Sequence, residues 1–212
     1  HFTALLRLGV PAAVMLLFEA GAFSAATLMM GWLGTVPLAA HQVALGFAAL
    51  TFMVPLGLSI AVSLRLSRAR GEGRLAALRP IGFGALGAGL VMMSLFATVF
   101  AVAGRFLTGA VTPDVEVAAL ATRLLLVAAI FQLFDGGQVI SVGALRGLTD
   151  VRVPGVITFV AYWVISLPVG YLLAFHTAQG PLGVWAGLAL GLGCAAVLLG
   201  WRFHRLTRPA AL

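Results

Sequence analysis

The chain has 212 residues, of which 62% are hydrophobic and 9% charged, with a mean hydropathy of +1.12. Soluble domains carry roughly 25% charged residues, so this apolar excess excludes a water-soluble globule and requires lipid as solvent. The formal net charge is +7, and every basic residue is arginine. These arginines sit between apolar runs rather than on a solvated, aromatic-studded face, which argues against nucleic acid as a partner and for the positive-inside pattern of membrane proteins. Cys194 has no intrachain partner and reads as a small packing residue.

Six apolar stretches follow one another, near 8–31, 37–64, 80–103, 117–143, 154–175 and 181–203. Each can cross a hydrocarbon layer of about 30 Å at about 1.5 Å per residue. None alternates in hydropathy every second residue, so they are predicted to be helices, the segments that satisfy their own backbone groups in lipid. The predicted fold class is therefore all-α integral membrane, a six-helix transmembrane bundle. Pro37, Pro80, Pro154 and Pro181 fall near span starts, where a missing N–H costs little. Gly71, Glu72 and Gly73 mark the turn of the longest polar connection.

With six spans, eleven of the 13 arginines fall on one side: Arg7, Arg65, Arg68, Arg70, Arg74, Arg79, Arg146, Arg152, Arg202, Arg205 and Arg208. Arg105 and Arg123 are left for the other. Both termini are expected to be cytoplasmic. Gly183, Gly187 and Gly191 recur every four residues along one face of the last span, and Gly82, Ala85 and Gly89, spaced by three and four, share a face of the third; both stripes predict close helix packing. Pro55 and Pro168 lie inside spans and are hinge candidates.

Two carboxylates lie at membrane depth. Glu19 is central in the first span, within Leu16-Leu17-Phe18-Glu19-Ala20, and Asp135 lies in the fourth, within Phe131-Gln132-Leu133-Phe134-Asp135-Gly136-Gly137-Gln138. An ionised carboxylate there costs about 3 kcal/mol on insertion scales, so such a group is a functional candidate by default. Gln138 shares the face of Asp135 three residues on, and Gly136 and Gly137 would thin the helix and admit water or an ion. His41 and Gln42, early in the second span, are further cavity-lining candidates; a packing role is the alternative for His41. Tyr162, Trp163 and Trp185 are read as interface anchors or cavity lining. No P-loop, zinc-ligand spacing or Gly-x-Ser-x-Gly elbow is present. No enzymatic activity, catalytic residue, cofactor or resident metal is therefore expected.

Several segments resemble one family. They are Leu8-Gly9-Val10-Pro11, Phe18-Glu19, Leu38-Ala39-Ala40-His41-Gln42-Val43-Ala44, Phe52-Met53-Val54-Pro55 with Ala61-Val62-Ser63, Ala144-Leu145-Arg146-Gly147-Leu148-Thr149-Asp150, and Tyr162-Trp163 with Leu167-Pro168-Val169-Gly170-Tyr171. In this order they resemble the C-terminal half of the MATE (multidrug and toxic compound extrusion) transporters, NorM-like branch. The resemblance implies one lobe of a twelve-span transporter, residues 1–212 being the C-terminal six-span lobe. It implies secondary active export of organic, often cationic, compounds against H⁺ or Na⁺ by alternating access.

Glu19 and Asp135 fall on the family's acidic cation-site positions. Phe131 stands where some sodium-coupled members place a Tyr, and Phe offers no oxygen to a hard cation; this favours a proton, with Na⁺ at Glu19 and Asp135 as the alternative. The partners implied are membrane lipid, a small organic substrate and an N-terminal lobe, with a second copy of the chain as a less favoured substitute. The start at His1 without Met fits a piece of a longer polypeptide. The alternatives are a flippase of lipid-linked saccharides, which would call for arginines in the spans, and a non-transporting scaffold, which gives no reason for buried acids.

Overall fold

The computed structural model describes residues 2–208, with side chains described for Gly9, Val10 and from residue 13 onward. Arg7 and Pro11, used above, fall outside the described side chains. The chain is almost entirely helical: α1 Phe2–Leu33, α2 Thr35–Gly71, α3 Leu78–Val111, α4 Val115–Gly147, α5 Arg152–Phe159, α6 Leu167–Phe175 and α7 Pro181–Leu206. A short 3₁₀ turn, Leu75–Ala77, leads into α3, and a π-helical segment, Val160–Ser166, joins α5 to α6. α5, the π segment and α6 form one span, so six helical segments are long and apolar enough to cross a membrane.

Helix ends follow local chemistry. Pro181 occupies the first turn of α7, where no N–H is needed. Asp114 caps α4 by accepting from the backbone N–H groups of Glu116 (2.9 Å) and Val117 (3.1 Å). Gly34 precedes α2 with φ of 127°, a conformation that favours glycine.

The π segment has an identifiable cause. Pro168 has no N–H for the Val164 carbonyl, and its ring crowds that turn. The chain widens just before it, and the Leu167 N–H donates to Tyr162 O, five residues back. Around Pro55, by contrast, α2 runs unbroken.

α4 is the central helix. α2, α3 and α7 pack on it, while α1 lies at the edge against α2 and α5. Glycines set the closest approaches. A Cβ on Gly183 would lie 2.6 Å from the Leu173 carbonyl carbon, and one on Gly187 would lie 2.4 Å from the Gly170 backbone. A Cβ on Gly191 would lie 2.4 Å from Ser166 Cβ. The predicted stripe on the last span is thus a backbone-to-backbone contact with α6 and the π segment. The stripe on α3 works differently: Gly82 makes room for the Phe203 ring and Gly89 for Ile140 Cδ1, so these glycines receive side chains. Gly143 and Gly147, which the sequence did not single out, meet the backbone of Ser59 and Ser63 on α2.

The arginine-rich connections gather at one end. Arg70 Nη1 donates to Leu148 O and, at 3.1 Å, to Thr149 Oγ1. Arg202 Nε donates to Asp150 Oδ2 at 2.8 Å, and Arg79 Nη2 lies 3.2 Å from His204 Nδ1. The Leu145–Asp150 segment is therefore a helix end held on both sides. Gly147 lets α2 approach, Thr149 turns the chain with φ of 61°, and Asp150 receives Arg202.

The buried apolar core is split in two. One cluster contains Ala22, Ala48, Phe131, Tyr162, Trp185 and Leu192. The other contains Met15, Val62, Val139, Ala195 and Phe203. On α1 the break falls between Met15 and Ala22, and on α4 between Phe131 and Val139. Glu19 and Asp135 lie in those two gaps.

Candidate functional site

At this seam a cavity of about 270 Å³ opens between α1, α2 and α4, lined by Glu19, Phe23, Leu45, Ala48, Ala49, Phe52, Phe131 and Asp135. Glu19 and Asp135 are the oxygen-bearing side chains of that lining. A larger groove of about 720 Å³ faces outward elsewhere and is lined by apolar residues such as Ile130, Leu190 and Val197. Chemistry favours the smaller cavity as the site, because, unlike that groove, it joins carboxylates to aromatic walls.

Each carboxylate is held differently. Glu19 projects from the edge helix α1, and the Tyr162 hydroxyl donates to its Oε1 at 3.4 Å. Tyr162 is fully buried and belongs to the π segment, so the local widening before Pro168 positions the donor. Asp135 is 7% exposed on the central helix. Its glycine neighbours do not open a path for water: Gly136 is filled by Met93, whose Cγ would lie 2.6 Å from a Cβ there, and Gly137 faces Ala196. That corrects the expectation attached to these two glycines.

Aromatic rings build the wall. Phe23 lies edge-on to Phe131 at a centroid distance of 6.1 Å and also reaches Tyr162 at 6.1 Å. Phe131 meets Trp185 edge-on at 5.4 Å, and Trp185 meets His41 at 5.8 Å. Negative ring faces beside two carboxylates suit an organic cation with flat apolar parts.

The other sequence candidates disperse. His41 is fully buried outside the cavity lining: Trp185 Nε1 donates to its Nδ1 at 3.1 Å, and its Nε2 lies 3.1 Å from Thr27 Oγ1. It ties α1, α2 and α7 together, which is the packing alternative. Gln42 is exposed, on the face of α2 that carries Leu45, Ala49 and Phe52 further along. Gln138 is buried outside the lining, and its Oε1 has no hydrogen-bond partner. Tyr162 and Trp185 are interior residues, not interface anchors. Trp163 is 39% exposed and donates to Phe18 O at 3.1 Å.

Two polar groups were missed. Gln132 accepts from Thr51 Oγ1 at 3.0 Å and donates to Met93 O at 3.4 Å, pinning α2 and α3 to α4 one turn from Asp135. An amide inside an apolar span was the available signal. Among the described residues no cluster of three or more His, Cys, Asp or Glu could hold a metal ion.

The family model described as MatE matches residues 11–172. The chain belongs to the MatE family. This MatE chain is 45% identical over 210 residues to "Probable multidrug resistance protein NorM" of Rhodopseudomonas palustris, covering 97% of the chain and 44% of that relative. It is 44% identical to the protein of the same description in Pseudomonas aeruginosa, again with 97% and 44% covered. The chain therefore spans about half the length of the curated relatives it matches.

Solved structures agree on the fold. A Vibrio cholerae MATE transporter, VcmN, in the bent form superposes with a TM-score of 0.89 at 22% identity, over 98% of this chain and 47% of the other. The eukaryotic MATE transporter AtDTX14 superposes with a TM-score of 0.87 at 22% identity, over 99% and 49%. This MatE chain is thus a multi-pass membrane protein whose six-helix bundle matches about half of a MATE transporter.

Proposed function

We propose that this chain is the C-terminal six-span lobe of a multidrug exporter in a bacterial inner membrane, with both termini cytoplasmic. It works by alternating access with a second six-span lobe, and Glu19 and Asp135 couple export to inward flow of H⁺. One observation carries the reading: two carboxylates from different helices line a single aromatic-walled cavity at the break between two apolar cores. The names of the 40–45% identical relatives support multidrug export as the activity.

The mechanism is competition for charge. A proton neutralises the carboxylates and favours one packing of the bundle, and an organic cation replaces it and favours the other. Pro55 and Pro168 are the proposed hinges. A proton fits better than Na⁺, because the lining offers little oxygen beyond the carboxylates and a hard cation takes several oxygen ligands. Phe131 presents a ring instead.

The test is ethidium efflux from vesicles holding the intact polypeptide, with and without imposed pH or Na⁺ gradients, for wild type and Asp135→Asn. Loss of pH-driven efflux in the variant is the expected result. Undiminished gradient-driven efflux sinks the assignment of Asp135, and efflux driven by Na⁺ alone replaces H⁺ as the coupling ion.

A further inference from the structure

Arg105 and Arg123 depart from the arginine distribution of the rest of the chain, and they come together in space. Arg105 is six residues from the end of α3, and Arg123 is eight from the start of α4. They border one cleft of about 670 Å³ between these helices, at the end of the bundle opposite the arginine-rich connections. Both are exposed, and among the described residues neither has a carboxylate within salt-bridge distance. Asp114, the acid of the adjoining loop, is engaged in capping α4. The cleft also carries hydroxyls: Thr108 Oγ1 and Thr122 Oγ1 lie 2.8 Å apart across the two helices.

Depth fits the headgroup layer. α3 has 34 residues, about 51 Å at 1.5 Å per residue, against about 30 Å of hydrocarbon and 40–45 Å with headgroups. Positions about 9–12 Å from the helix tips thus face the polar border of the membrane.

Below the cleft the surface changes character along a single ridge of α4. Arg123 and Leu126 border the cleft, and Ile130 and Phe134, one and two turns further in, line the apolar groove between α4 and α7. That groove holds about 720 Å³. A cationic, hydroxyl-bearing notch at headgroup depth continues into an acyl-sized apolar channel.

We propose that the Arg105–Arg123 cleft seats the phosphate of an anionic phospholipid from the leaflet opposite the arginine-rich end, with one acyl chain running along the α4 ridge into the α4–α7 groove. Two guanidinium groups supply charge-assisted donors to phosphate oxygens. The groove supplies apolar contact that a free phosphate ion cannot use. Seated there, the lipid bridges α3, α4 and α7 on the side away from the Glu19–Asp135 cavity.

Native mass spectrometry of the intact polypeptide titrated with phosphatidylglycerol tests this. In Arg105→Gln/Arg123→Gln, retention should weaken on the order of tenfold or more, since each guanidinium removed takes away charge-assisted donors to the seated phosphate worth roughly tenfold. Arg105→Lys/Arg123→Lys should keep most of it, and Arg65→Gln/Arg152→Gln, with the same net charge loss at the other end, should leave it unchanged. Equal retention in the first variant and wild type overturns the proposal. Wild type alone supplies a second test. It should prefer phosphatidylglycerol to diacylglycerol, and millimolar inorganic phosphate should not displace the lipid. Equal retention of diacylglycerol, or displacement by phosphate alone, overturns the phospholipid assignment even if the variants fail to fold.

Discussion

The Tyr162 hydroxyl donates to Glu19 across 3.4 Å, joining the π-helical stretch of the fifth span to the edge helix α1. This contact makes α1 answerable to the shape of the fifth span. Tyr162→Phe keeps the ring packed on Phe23 and removes the donor. Efflux should fall severalfold in Tyr162→Phe. Glu19→Gln/Tyr162→Phe should be no worse than Glu19→Gln alone, because linked residues are non-additive. Strict additivity in the efflux rates would show that the two act separately.

One substitution should have opposite signs at two glycines. At Gly187 a new Cβ lies 2.4 Å from the Gly170 backbone, whereas Gly84 on α3 has nothing within 4 Å of that position. Gly187→Ala should destabilise by about 1–3 kcal/mol through overpacking. Gly84→Ala should be neutral or stabilise by about 0.5–1 kcal/mol, since helix-interior glycine costs that much relative to alanine. Thermal unfolding in detergent, compared side by side, checks both; equal effects would refute the assigned contact.

Trp185→Phe leaves His41 Nδ1 without its buried donor while roughly keeping the ring contact with Phe131. An unmet buried polar group costs about 1–3 kcal/mol. A lowered midpoint of unfolding is expected, with gradient-driven efflux retained in the folded fraction, because His41 stands outside the cavity. Abolished efflux at wild-type stability would instead place His41 in the transport path.

In the loop after α2, Arg68 and Arg74 hydrogen-bond the Glu72 carboxylate and hold its pKa below the ordinary 4.5. A depressed folded pKa contributes stability that is present above 4.5 and is lost as pH falls through the lower folded value. Carboxyl ¹³C chemical shifts should show Glu72 titrating below 4.5. Arg68→Gln/Arg74→Gln should return it toward that value, and a wild-type midpoint at or above 4.5 would contradict the contacts.

The sequence alone determined the solvent, the six helices and the placement of both carboxylates inside apolar spans. Those features follow from runs of apolar residues and from the cost of charge in hydrocarbon, which act segment by segment. The stripe Gly183, Gly187 and Gly191 was legible for the same reason, since one helix face suffices to show it. Which candidates share a cavity was decided by the tertiary structure. Glu19 and Asp135 meet there because α1 leans against the bundle where both apolar clusters break. His41 shares a face of α2 with Leu45 and Ala48, and Gln138 shares a face of α4 with Asp135, yet each lies about one turn along its helix from the lining and packs in another layer. Tyr162 stayed open between interface anchor and cavity lining because its position depends on a π-helical widening, which no single-helix periodicity encodes.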